Sequence, residues 1–245
     1  MMWRLALAVA TLVGGASADA RPTKIERKTP ALDYSYQWPE QAATIPALNA
    51  WLQADSNKFL RQSLADAQKD MRAAKQDKFP FHQHEIQKSW ENAGQSCRLL
   101  SLDGSIYGFT GGAHGNGGSL GLLWDRARNA KIEIPQLLLP GMSWTGAIRQ
   151  PFCVLLDRER AKRREKPVKK DDMFGNCPEY KELTVIIVDK NGNGRFDHIQ
   201  ATADAYVAGP YVEGPYEIDL PITAAMIARL KPEFRSSFEA QRPVQ

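Results

Sequence analysis

A histidine inside a glycine-rich segment is the first residue whose surroundings suggest chemistry. His114 lies in the run Gly111-Gly112-Ala113-His114-Gly115. An exposed imidazole there could act as a general base if a carboxylate oriented its second nitrogen. The same glycines would also let the backbone take positive φ around a packed ring. We expect the packed arrangement, with His114 buried and hydrogen-bonded to backbone, because an unpaired buried polar group costs about 1–3 kcal/mol. The chain has no Gly-x-Ser-x-Gly pattern for an activated serine.

Two further histidines, His82 and His84, would share one face of an extended segment. No Cys or acidic residue stands at a recognisable zinc-ligand spacing from them, and Glu85 would point to the opposite face. We therefore predict no zinc site at this pair.

The segment from 189 to 197 has the spacing of a calcium-binding loop. Positions 1, 3, 5, 6 and 9 of such a loop are occupied by Asp189, Asn191, Asn193, Gly194 and Asp197. Position 12 is Gln200 instead of a bidentate Glu, and the flanking residues are typical of strands. An Asn-Gly repeat is also what a tight hairpin turn requires. We expect a turn that binds calcium weakly at best, and no other cofactor.

Three cysteines, Cys97, Cys153 and Cys177, allow three disulfide pairings. We favour Cys153 with Cys177, because these two flank the most polar stretch of the chain. Closing that loop would restrict the unfolded chain by roughly 3 kcal/mol. Cys97 lies in a run of alternating apolar residues, so we expect it to be a buried small hydrophobe.

The elements that position these residues follow from the hydrophobic periodicity. Apolar residues at steps of three and four predict helices at 45–52, 56–74, 144–166 and 223–230, the second beginning at the capping pair Asp55-Ser56. Alternation predicts strands at 34–38, 97–102, 105–110, 120–124, 132–134, 183–188, 198–203 and 216–220. Asp103-Gly104 and the 189–194 segment would close two hairpins. This order predicts an α+β fold, an antiparallel β-sheet with helices packed on it.

The first twenty residues have the order of a secretory signal peptide. Arg4 is followed by an apolar run from Leu5 to Val13 and by small residues that predict cleavage near Ala18 or Ala20. The run is shorter than the roughly 20 apolar residues that cross a membrane. We therefore expect a periplasmic or secreted protein with no membrane span in the mature chain and no nucleic-acid partner.

Residues 158–170 concentrate eight Lys and Arg side chains against two Glu, in a chain whose net charge is +4. We interpret this stretch as a solvated helix end and loop. A patch for an anionic polymer is the alternative.

The stretch from Tyr107 to Asn116 reads Tyr-Gly-Phe-Thr-Gly-Gly-Ala-His-Gly-Asn. It resembles the Tyr-Thr-Gly-Gly-Ala-His motif of an envelope domain family of unknown function. That family forms the outer domain of the RsiV anti-sigma factor and a non-catalytic region ahead of the deacetylase domain of PdaC. The resemblance extends over most of residues 33–235, including an opening strand at 34–39 and a closing Pro-Tyr-x-x-Gly segment at 206–221.

The resemblance implies an α+β envelope domain with two subregions and no established catalytic residues. On this basis we divide the chain into a signal peptide (1–20), a flexible lead-in (21–32), an N-terminal PdaC-like subregion (33–102), a C-terminal RsiV-like subregion (103–235) and a tail (236–245).

The relatives take part in peptidoglycan deacetylation or lysozyme sensing, which implies a non-catalytic module that binds cell-wall glycan or a muramidase such as lysozyme. The expected ligand groove consists of the motif and one following tryptophan: Tyr107, Phe109, Thr110, Gly111, Gly112, His114 and Trp124. Two other hypotheses stay open. One is a peptidoglycan-acting hydrolase or deacetylase built around His114, and the other is a purely structural envelope protein.

Overall fold

The computed structural model describes residues 22–241, so the predicted signal peptide lies outside the described residues. The strands are β1 (Thr23–Lys28), β2 (Leu32–Trp38), β3 (His84–Gln95), β4 (Leu99–Phe109), β5 (Asn116–Asp125), β6 (Ala130–Ile132), β7 (Thr184–Val188), β8 (His198–Ala203) and β9 (Tyr216–Pro221). The α-helices are α1 (Glu40–Ala43), α2 (Pro46–Asp77), α3 (Ile134–Leu137), α4 (Thr145–Arg164), α5 (Ala224–Ala228) and α6 (Pro232–Arg235). Among these residues no helix is long and apolar enough to cross a membrane.

The first sheet has the strand order β1-β2-β3-β4-β5-β6. Its pairs are antiparallel except β2 with β3, which run parallel. A parallel pair needs a long crossover connection, which α2 supplies. The predicted α+β class with two subregions is confirmed, while the expectation of a purely antiparallel sheet fails at this one pair.

Helix α2 covers one face of the first sheet because the residues of β2 alternate between core and solvent. Tyr34, Tyr36 and Trp38 are at most 1% exposed, and Leu48 and Leu52 of α2 join them in one core. The polar residues between them point to the opposite face, as the pleat of a strand requires. That opposite face contacts strand β7 of the second sheet and solvent.

The second sheet, β7-β8-β9, is antiparallel and carries its own core with α4 and α5. The disulfide between Cys153 of α4 and Cys177 has a Cα–Cα distance of 5.5 Å, which confirms the predicted pairing. Cys97, by contrast, is exposed. It lies in the turn between β3 and β4, where the apolar alternation has not yet begun, so the prediction of a buried Cys97 is wrong.

Glycines allow the two sheets to approach each other closely. Strand β7 packs against β3, β4 and β5. A Cβ on Gly121 would lie 2.8 Å from Ile186 Cγ2, and one on Gly94 would lie 2.7 Å from the backbone nitrogen of Asp189. Real Cβ atoms essentially never come that close, so the interface between the two sheets depends on these two positions.

The predicted hairpin turn at Asp103-Gly104 is wrong, because β4 runs without a break from Leu99 to Phe109. A Cβ on Gly104 would lie 2.6 Å from two carbons of the Trp90 ring. The glycine therefore makes room for the indole on the neighbouring strand, and pairing with β3 and β5 on both sides outweighs the local turn preference. The proposed division between residues 102 and 103 consequently falls inside a strand.

The predicted helix start at Asp55-Ser56 is also wrong, since α2 continues through both residues. Asp55 Oδ2 accepts hydrogen bonds from Tyr36 Oη at 2.7 Å and Lys88 Nζ at 2.8 Å. The carbonyl oxygen of Ser56 accepts one from Tyr34 Oη at 3.0 Å. Asp55 and Ser56 therefore form hydrogen bonds to the sheet from the middle of a helix. The same residue types are common at helix N-caps, which is why the sequence pattern predicted a helix start there.

The lead-in and the tail are ordered elements in the part that the structure describes. Residues 23–28 form β1, which pairs with β2, and Ile25 packs against the first core. In the tail, Phe238 is fully buried and the segment around it pairs with Phe196. The expectation of a flexible lead-in missed the pairing of β1 with β2, because local composition does not reveal that partner.

Candidate functional site

The glycine-rich motif forms the loop of the β4–β5 hairpin. Gly111 and Gly112 have φ values of 101° and 103°, which favour glycine, as the sequence predicted. Gly115 serves a different purpose, because a Cβ there would lie 2.4 Å from the ring and hydroxyl of Tyr107. The loop is therefore shaped by two backbone turns and one close contact with an aromatic ring.

His114 is exposed, so the prediction that it would be buried is wrong. Its ring stacks on that of Tyr211, with centroids 4.1 Å apart and an interplanar angle of 21°. Tyr206 adds a third ring, 5.9 Å from Tyr211. The predicted bond to backbone is present, since Nδ1 lies 2.9 Å from the carbonyl oxygen of Gly115. We call His114, Tyr206 and Tyr211 the aromatic patch.

The aromatic patch borders a cleft of about 510 Å³ between the first sheet and the 204–217 segment. Tyr107 and Tyr211 line this inter-sheet cleft together with polar side chains, among them Ser119, Asp204 and Glu213. Tyr206 and Tyr211 remain 53% and 38% exposed. Large rings left in solvent beside a polar cleft are unusual for a purely structural loop and are typical of binding surfaces.

Asp204 fastens one side of the cleft to the first sheet. Its carboxylate accepts hydrogen bonds from Ser119 N at 3.0 Å and from Ser119 Oγ at 2.6 Å. Thr184 Oγ1 donates to the carbonyl oxygen of Ser119 at 3.0 Å. The first sheet is thus joined to β7 and to the 204–217 segment by directed polar contacts at the cleft itself.

Arginines of α4 hold the other side of the 204–217 segment. Arg160 is fully buried and donates to the carbonyl oxygen of Ala208 at 2.8 Å. Arg163 bonds the carbonyl oxygens of Glu213 and Pro215 and lies over the ring of Tyr216. Part of the basic stretch 158–170 therefore stabilises the fold. Neither interpretation made from the sequence, a solvated helix end or a patch for an anionic polymer, included this role.

Glu213 is the acidic partner of these arginines. Its carboxylate accepts two hydrogen bonds from Arg164, at 2.8 and 2.9 Å, and one from Tyr216 at 2.5 Å. Burial would raise the pKa of Glu213, but the bonds from Arg164 and Tyr216 outweigh it and leave the pKa below its ordinary value. The segment that carries Tyr211 is accordingly anchored by a charged and partly buried contact.

The remaining residues of the predicted groove do not all reach this cleft. Trp124 is 3% exposed and belongs to the first core, so the expectation that it binds ligand is wrong. Its strand position placed it on the helix-covered face of the sheet. Phe109 is half-buried at the end of β4, and Thr110 lines a separate cleft beside α2.

Tyr206 and Tyr211 were not predicted as site residues. They lie at least 90 positions beyond the motif, and only their place in the Pro-Tyr-x-x-Gly segment of the resemblance could have indicated them.

The enzyme hypothesis required a carboxylate to orient His114. Within residues 22–241 the histidine nitrogens within 4 Å of a carboxylate oxygen are those of His84, beside Asp70, and His198, beside Asp197, and His114 has no such contact. The ring of His114 makes a stacking contact with Tyr211 and one hydrogen bond to backbone.

In the calcium-like loop, residues 189–197, the carboxylates of Asp189 and Asp197 accept hydrogen bonds from within the loop and stabilise its turn. Asp189 accepts hydrogen bonds from the backbone N–H groups of residues 192–194 at 2.8 to 3.2 Å. Asp197 is buried and accepts bonds from Lys190 N at 2.9 Å and Asn191 Nδ2 at 3.2 Å. The predicted hairpin between β7 and β8 is present.

Glu239 is the acidic neighbour of this loop that the sequence did not indicate. The side-chain amides of Asn191 and Asn193 donate to its carboxylate at 2.9 and 2.8 Å. Among the described residues no group of three or more His, Cys, Asp or Glu is arranged to hold a metal ion.

Comparison with known proteins supports the resemblance found in the sequence. Residues 25–117 match the family model described as Deacetylase PdaC, a span that includes the glycine-rich motif. A DUF3298 family member from Bacteroides fragilis is similar in structure, with a TM-score of 0.55, 15% identity, and coverage of 89% of this chain and 96% of that one. A DUF3298 family protein from Pseudomonas aeruginosa has a TM-score of 0.52, 15% identity, and coverage of 91% and 98%. No curated protein matches the chain. The structural similarities establish a shared fold.

Proposed function

We propose that this chain, PdaC-like over residues 25–117 and with the fold of the DUF3298 proteins, is an exported, non-catalytic module that binds cell-wall glycan. The observation that carries the proposal is the exposed aromatic patch at the edge of the inter-sheet cleft. Export to the periplasm rests on the predicted signal peptide, and the disulfide suits an oxidising compartment.

The chemistry of the patch suits a sugar chain. Tyrosine and histidine rings present a flat apolar face and a polar tip, so they pack on the C–H face of a sugar and still bond its hydroxyls. The hydroxyl and carboxylate groups of Ser105, Ser119 and Glu217 line the adjacent cleft and offer further partners. Anchoring by Arg163, Arg164 and Asp204 keeps the surface preorganised, which lowers the entropy cost of binding.

A sedimentation assay with purified peptidoglycan sacculi tests the proposal. We expect the mature protein to pellet with sacculi and Tyr211→Ala to bind about tenfold more weakly, a loss of about 1.4 kcal/mol. Tyr211→Phe keeps the ring and should retain most of the binding. Met173→Ala is a matched control, because Met173 is 83% exposed and outside the cleft.

Three results would contradict the proposal. Protein that stays in the supernatant with sacculi but binds lysozyme, with the same dependence on Tyr211, would identify a muramidase as the partner. Release of acetate or of new reducing ends from sacculi, abolished by His114→Ala, would identify an enzyme. Equal binding by Tyr211→Ala and wild type would exclude the aromatic patch as the glycan site.

A further inference from the structure

A second cleft, of about 560 Å³, lies on the opposite face of the first sheet, between α2 and strands β3 to β5. We call it the helix-side cleft. Its apolar lining comes from Phe59 of α2, Ile86 of β3 and Ile106 of β4. Its volume falls in the range of small-molecule sites, which usually combine an apolar lining with a few placed polar groups.

The polar groups of the helix-side cleft are acidic on one side. Asp66 and Asp70 stand one turn apart on α2, and both line the cleft. His84 lies in the wall with its side chain 4% exposed, and its Nε2 is 3.4 Å from Asp70 Oδ2. The ring of Phe81 stacks on that of His84, with centroids 5.7 Å apart.

No Lys or Arg within residues 22–241 lines this cleft, although the chain as a whole has a net charge of +4. The nearest lysine along β3, Lys88, is engaged by Asp55 at 2.8 Å. Its Nζ also lies 5.2 to 5.5 Å from the centroids of three aromatic rings, so it does not neutralise the two aspartates. The local potential therefore favours a cation, because a cleft lined by charge of one sign concentrates the opposite ion.

We propose that the helix-side cleft binds a small ligand in which a protonated amine is attached to an apolar frame. The amine lies against Asp66 and Asp70, and the frame lies on Phe59, Ile86 and Ile106. The two clefts share Ile106, Tyr107, Gly117 and Gly118 in their linings, but the residues of α2 and β3 line only the helix-side cleft. The proposal does not depend on the proposed glycan binding.

Benzylamine and benzyl alcohol are matched probes for the proposal, because they share a ring and differ in charge. In an NMR titration at pH 7.5, benzylamine should shift the backbone signals of residues 66–70 and 84–86 with a millimolar dissociation constant. Benzyl alcohol should bind at least about tenfold more weakly, since it lacks the ion pair. Added salt should weaken the benzylamine complex alone.

The double variant Asp66→Asn/Asp70→Asn should reduce benzylamine affinity about tenfold and leave benzyl alcohol affinity unchanged. Asp77→Asn, at an exposed position near the end of the same helix, is the control and should change neither. Circular dichroism verifies that the variants fold. Equal binding of the two probes, shifts confined to other surfaces, or a double variant that binds benzylamine normally would each overturn the proposal. Tyr211→Ala should not affect this titration, which separates it from the test of glycan binding.

Discussion

The environment of Asp103 disfavours the charged form of its carboxylate. Replacing Asp103 with Asn should therefore stabilise the protein at neutral pH. The residue is half-buried in the middle of β4. Burial raises its pKa from 3.8 to about 6, with further contributions from Glu217 and Glu91. Glu91 is its partner on β3, and Glu217 comes from β9 of the second sheet. The folded protein therefore binds a proton there more tightly than the unfolded chain does.

The sign of the effect follows from proton linkage. Between pH 4 and 6 the folded state holds a proton that the unfolded state has lost, so stability falls as the pH rises and the full cost is present above pH 6. A difference of about two pH units corresponds to at most about 3 kcal/mol. Because solvent screens a half-buried group, we expect about 1–2 kcal/mol. Asp103→Asn should remove this cost at pH 7.5 and have little effect at pH 4.

Urea denaturation at the two pH values measures this difference. The expected result is a higher midpoint for Asp103→Asn at pH 7.5 and coincident curves at pH 4. Glu91→Gln is the control for a cross-strand charge, and it should give a smaller gain because the largest cause is burial. A variant that is equally stabilised at both pH values, or destabilised at pH 7.5, would refute the reasoning.

Three further predictions concern stability and metal binding. Replacing Cys153 and Cys177 with Ala should lower the free energy of unfolding by about 3 kcal/mol in the absence of reductant, with no further loss when reductant is added. Gly104→Ala should destabilise the protein by about 2 kcal/mol or more in thermal unfolding, because its methyl group meets an indole ring. Gly146→Ala, in α4 with open space around it, should be neutral or stabilising by up to about 1 kcal/mol. Calorimetry should show calcium binding no tighter than millimolar, and micromolar binding would contradict our interpretation of that loop. Asp189→Ala should lower the melting temperature, since the backbone N–H groups of Gly192 and Gly194 lose their acceptor.

Hydrophobic periodicity and turn residues predicted an element correctly where its structure depends on residues close in sequence. Helix α4, the hairpin of β7 and β8, and strand β9 all lie where the periodicity placed them. The pairing of Cys153 with Cys177 was predictable because the two residues flank one polar stretch and α4 fixes the first of them. These features depend on residues that are close in sequence.

Predictions failed where a residue serves a distant partner. Gly104 carries a turn-forming composition but makes room for Trp90, and Ser56 looks like a helix cap but bonds Tyr34. The stack of His114 on Tyr211 joins residues 97 positions apart. Neither periodicity nor residue spacing indicates a contact between residues so far apart in sequence. The sequence therefore predicted the motif loop but not Tyr206 and Tyr211, whose exposed rings complete the site.

The most direct test of the central claim is an NMR titration of the mature protein with a soluble peptidoglycan disaccharide of N-acetylglucosamine and N-acetylmuramic acid. Binding at the aromatic patch predicts saturable shifts confined to residues 107–119 and 204–217, lost in Tyr211→Ala and retained in Met173→Ala. If no signal shifts at disaccharide concentrations up to about 5 mM, the binding free energy is smaller in magnitude than about 3 kcal/mol. That result would contradict the claim. Saturable shifts on a different surface would contradict it equally.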